Sequence, residues 1–83
     1  MSKRIINKAQ PAVFWFPNAM VDEGHVARMG PKAWAVYSVL RRYEGSPIEP
    51  SPRMVADLTG LEHGDVTAAV MRLIELGYLE ERP

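Results

Sequence analysis

Cysteine is absent from this chain. Its absence excludes disulfides and thiolate metal centres and fits a reducing compartment. The two histidines, His25 and His63, lie far apart with no thiol to join them, so no metal is expected. No apolar run approaches the roughly 20 residues that span a bilayer, and the amino-terminal stretch lacks the apolar core of a signal peptide. No membrane partner is expected, and the expected location is cytoplasmic. Catalytic furniture is missing too: there is no nucleophile–base set, no glycine-rich phosphate loop and no carboxylate pair at useful spacing. Asp22 and Glu23 are adjacent, and neighbours on a helix point in different directions. Neither enzyme chemistry nor a cofactor is expected. Internal repeats and low-complexity segments are also absent.

Excess charge is the last thing lacking. Ten basic residues balance ten acidic ones, with a sequence pI near 6.7. Domains that bind DNA are usually basic, because phosphate contacts supply much of the affinity. A neutral chain can meet that need only through a basic face on a mixed surface.

The residues present describe one small globular domain: 83 residues, 47% hydrophobic and 24% charged. Its organising stretch runs over 51–79. Val66, Val70 and Leu73 recur at spacings of four and three, with Ala69 and Leu76 on one flank and Ile74 on the other, which predicts a helix over 63–76 with that face buried. Before it, Ser51 is placed to cap a helix over 52–59, Pro52 sits where a missing N–H costs nothing, and Val55 and Leu58 form the inner face. Gly60 is the residue best able to adopt the left-handed conformation that ends a helix. A short helix, a turn containing glycine and a longer second helix make a helix-turn-helix. The closing Leu76-Gly77-Tyr78-Leu79 predicts a strand near 78–80.

Upstream, residues 1–11 read as a flexible basic arm carrying Lys3, Arg4 and Lys8. The apolar, aromatic run over 12–16, stopped by Pro17, predicts a short strand over 13–16. Asn18 is expected to cap a short helix through Met20 that Gly24 ends, with a connector after it whose Val26 and Met29 reach the core. Gly30-Pro31 opens a helix over 31–43 with an amphipathic stripe of Ala33, Val36, Tyr37 and Leu40. Trp34 falls on the opposite side, either beneath a folded-back Phe14 or Phe16 or at the centre of a partner surface. Pro47 and Pro50 interrupt any helix across 45–50, and Ile48 is expected to add a residue to a small sheet.

Ala56, Gly60, Leu61, Val66, Val70 and Leu73, together with the succeeding ELGYLE, resemble the helix-turn-helix and first wing strand of winged-helix domains. With PKAWAVYSVLRRYEG and PSPRMVADLTG, the chain is similar to such domains in plasmid and phage replication initiators and small transcription regulators. The resemblance implies a mainly α fold with a small β component, a winged helix-turn-helix over 12–83 whose wing is truncated. It also implies double-stranded DNA as partner, with the 63–76 helix in the major groove and Lys32, Arg53, His63, Thr67, Ala68 and Arg72 as contacts. Arg41 and Arg42 add to the basic complement.

The second helix also carries features that phosphates repel or ignore: carboxylates at Glu62 and Asp65, and an outward stripe of Gly64, Ala68 and Met71. Small residues allow close backbone approach and Met adapts to irregular surfaces. These residues, with Trp34, describe the alternative: a surface that docks on a protein partner or on a second copy.

Overall fold

The computed structural model describes residues 15–81. It has five helices in order: α1 (Ala19–Asp22), α2 (His25–Met29), α3 (Pro31–Arg42), α4 (Pro52–Thr59) and α5 (His63–Glu75). No helix among the described residues is long and apolar enough to cross a membrane.

Each long helix is set by local chemistry before packing. Gly30 takes φ 86°, which a β-carbon would resist, and Pro31 then starts α3 at its first position. Ser51 caps α4 by accepting from the Met54 amide at 3.1 Å, with Pro52 at the first turn. Gly60 closes α4 in the left-handed conformation at φ 75°. The turn 60–62 then delivers the chain to α5.

The core lies where α3 crosses α5. Ala33 and Val36 on α3 meet Val66, Ala69 and Leu73 on α5; Val55 enters from α4, Met20 from α1 and Met29 from α2. Val36 and Leu73 are wholly buried. Burying side chains of that size stabilises by about 1.5–3 kcal/mol each, so this small cluster supplies most of the cohesion. Val70, expected inward with Val66 and Leu73, is only half-buried, and Ala69 takes the deeper place. The 25–29 connector is a helical turn, α2, and its Met29 reaches the core as its apolar character required.

The expected β component is overturned. Among the described residues there is no strand, so the fold is helical and no truncated wing succeeds α5. The reason is visible at the end of α5. Gly77 at φ 85° reverses the chain, its amide bonds Ile74 O at 3.0 Å, and the Tyr78 and Leu79 amides bond Leu73 O at 2.9 and 3.2 Å. Those amides would have joined a sheet; here they satisfy the last carbonyls of the helix. Ile48, expected in the same sheet, is 53% exposed and unpaired with any strand. Of the expected strand over 13–16, Trp15 and Phe16 are not in a strand, and Val13 and Phe14 lie outside the described residues, as does the basic arm 1–11.

Candidate nucleic-acid interface

With its inner face buried, α5 turns Gly64, Thr67, Ala68, Met71 and Glu75 to the surface, and all five are exposed. Glu62 and His63 are exposed at its start. The Thr67 hydroxyl donates to His63 O at 3.2 Å, one turn back, which holds it against the helix. Of the expected contact residues, Lys32, Ala68 and Arg72 line one groove, and they do not all remain available.

Arg72 is the clearest case. Its Nε donates to Met29 O at 2.9 Å and its Nη2 to Arg28 O at 2.7 Å. Those carbonyls close α2, so Arg72 acts as a cap from across the fold, its positive charge at the negative end of a helix turn. Lys32 reaches Asp65 at 3.1 Å, tying the start of α3 to the first turn of α5. Lys32 remains well exposed, so the pair is weak and can open to another anion. Between these two ties lies a groove of about 320 Å³ with Ala33, Ala68 and Ala69 along it.

On the other flank, Arg53 stands exposed on the first turn of α4, and its side chain makes no hydrogen bond or ion pair among the described residues. Arg28 is likewise exposed; its backbone amide donates to Gly24 O and its carbonyl accepts from Arg72, while its side chain makes no hydrogen bond or ion pair among the described residues. Arg41 is spent elsewhere: it pairs with Glu44, donates to Trp15 O at 3.2 Å and stacks on Phe16 with its guanidinium 5.6 Å from the ring centre. Arg42 lies over Tyr43 at 4.7 Å.

Trp34 is half-buried beneath Phe16, ring centres 4.8 Å apart, and Tyr37 completes the cluster. The backbone around Phe16 is irregular, yet its ring covers Trp34. The exposed indole is instead Trp15, at 77%.

Two features had no signal in the sequence. His25 Nδ1 and the Tyr78 hydroxyl lie 2.5 Å apart, and the Tyr78 ring stands edge-on to Tyr37, so the turn after α5 is pinned to α2 and α3. The capping of α2 by Arg72 spans 43 residues and depends on tertiary placement. Charge is also unevenly divided. Residues 15–81 hold six basic and ten acidic side chains, a net of −4, while Lys3, Arg4, Lys8 and Arg82 lie outside. Among the described residues no group of three or more His, Cys, Asp or Glu could hold a metal ion.

No family model, curated protein or solved structure matches this chain.

Proposed function

We propose that this chain is a helix-turn-helix DNA-binding module that lays the amino-terminal half of α5 in the major groove of duplex DNA. One observation carries the reading: α5 presents a crown of small and polar residues flanked by cations on both sides. Gly64, Thr67 and Ala68 form the crown; Lys32 lines the groove beside Ala68, Arg28 is exposed on α2 with its carbonyl held by Arg72 of α5, and Arg53 is exposed on α4, which packs against α5. A helix inserted in the major groove has a phosphate backbone on either side and base edges below, so that arrangement suits it. The resemblance to plasmid and phage initiators and regulators points the same way. In this scheme Arg53 and Arg28 meet phosphates, Lys32 joins when its pair with Asp65 opens, and Thr67 and His63 face base edges. Arg72 positions α2, and with it Arg28, rather than touching DNA first.

A second reading is favoured by the charge balance. With a net of −4 over residues 15–81 and two expected cations spent internally, the same face could dock on a basic protein surface through Gly64, Ala68 and Met71. Ala68→Arg separates the two because its effect changes sign. In the groove, an added guanidinium gains a phosphate or guanine contact, so DNA affinity holds or rises. Against a packed protein surface the same bulk costs about 2 kcal/mol or more. Fluorescence polarisation on a labelled mixed-sequence duplex reads the first outcome. A fall in DNA affinity on Ala68→Arg, with the melting temperature unchanged, rejects the groove assignment.

A further inference from the structure

The charged side chains that line the groove beside Ala68 are Lys32, Asp65 and Arg72, two cations and a single carboxylate. Arg72 is committed to the carbonyls of Arg28 and Met29, which leaves Lys32 as the cation of this lining that can turn to a ligand. Lys32 is in turn held by Asp65, its ammonium 3.1 Å from Oδ1.

The two partners of that pair differ in freedom. The Lys32 side chain is 63% exposed on a long flexible stem, whereas that of Asp65 is 34% exposed on a short one. When the pair parts, Lys32 swings into solvent and Asp65 stays at the groove wall. Asp65 also sits in the first turn of α5, where the unpaired amides of a helix start favour negative charge. One carboxylate therefore covers both features that would draw a phosphate oxygen to this side of α5. We infer that, with α5 in the major groove as proposed, Asp65 is an internal competitor for the DNA backbone. Its carboxylate stands in for a phosphate against Lys32 in the free protein and holds down affinity for duplex DNA of any sequence. A pair this exposed contributes little to the fold, so its weight falls on the encounter with a polyanion. To meet a phosphate Lys32 gives up Asp65, and the carboxylate left at the groove wall then repels that phosphate. Both effects subtract from the sequence-independent part of the affinity and leave base-edge contacts untouched. A module restrained in this way dwells less on unrelated DNA, and base contacts gain a larger share in the choice of site.

The test compares the full chain with its Asp65→Asn, Lys32→Ala and doubly substituted variants. Each is titrated against a labelled mixed-sequence duplex by fluorescence polarisation at salt concentrations from about 50 to 200 mM. Asp65→Asn is expected to bind roughly five- to tenfold tighter near 0.1 M salt, which is what one further released counterion contributes, with a slope steeper by about one unit. Lys32→Ala is expected to remove most of that gain, costing the Asp65→Asn protein several-fold more affinity than it costs the parent. Asp22→Asn removes the same charge from α1, outside the groove, and is expected to gain less. Thermal denaturation reports the fold of each variant separately. If the parent binds and Asp65→Asn binds no tighter, gains no more than Asp22→Asn, or keeps its gain when Lys32→Ala is added, the proposal is overturned while the assignment of α5 stands. Weaker binding by Asp65→Asn at an unchanged melting temperature overturns it equally. Absence of binding by the parent and by every variant at about 50 mM salt overturns the assignment of α5 and the proposal with it.

Discussion

Arg72 shows how the tertiary setting decides what a side chain does. On a helical wheel it is an outward cation on the flank of a DNA-reading helix; in the fold its guanidinium is shared between the carbonyls of Arg28 and Met29. Two charge-assisted hydrogen bonds would be worth more in a dry interior. Because the side chain is partly open to water, about 1 kcal/mol is the appropriate scale. Arg72→Ala is therefore expected to lower the melting temperature by about 4–8 °C, the shift that 1 kcal/mol produces in a domain of this size. Thermal denaturation monitored by circular dichroism measures it, and a variant as stable as the parent removes the capping role. Tyr78→Phe deletes the hydroxyl beside His25 while keeping the ring against Tyr37, and a loss of about 1 kcal/mol in urea denaturation is expected.

At the scale of elements, α3, α4 and α5 were legible in the sequence from period and punctuation, except that Leu58, expected on the inner face of α4 with Val55, is 54% exposed. Ala33, Val36 and Leu40 mark one face, proline sits at the first turn of α3 and α4, Ser51 caps α4 and Gly60 ends it. The segment after α5 was not legible. Leu76-Gly77-Tyr78-Leu79 has the composition of a strand, but strand formation depends on a partner edge, whereas Gly77 offers a local closure that uses the same amides. The local solution wins, and the small sheet expected with Ile48 is lost with it. Gly77→Ala tests this. At φ 85° an alanine costs about 1–2 kcal/mol although its Cβ would touch nothing within 4 Å. Amide hydrogen exchange at Tyr78 and Leu79 should accelerate accordingly; unchanged protection would mean that the turn is held by Tyr78 packing alone. The α5 phase is checked by Val66→Asp. An unpaired carboxylate at a position 2% exposed is expected to prevent folding, and a variant with the parental melting temperature contradicts the assignment.

At the scale of the whole molecule, the face of α5 was legible and its use only in part. The pattern identified Gly64, Ala68 and Met71 as outward, but Lys32 and Arg72 read as free cations because intramolecular partners 33 and 43 residues away in sequence leave no periodic trace. Once they are set apart, Arg28 and Arg53 remain as unshared cations beside α5, and they predict modest affinity with a shallow salt dependence. Each phosphate neutralised contributes about −0.9 to the slope of log K against log salt, so two to three contacts give roughly −2 to −3.

That slope is the most direct test of the central claim. Polarisation of a labelled mixed-sequence duplex, titrated with the full chain at several salt concentrations from about 50 to 200 mM, is expected to give binding with a slope near this value, where counterion release sets the affinity. Arg53→Ala should weaken binding to all sequences alike and flatten the slope by about one unit, with the melting temperature unchanged. Absence of binding to any duplex at about 50 mM salt, or binding whose salt slope Arg53→Ala leaves untouched, contradicts the account of α5 as a groove-reading helix flanked by phosphate contacts.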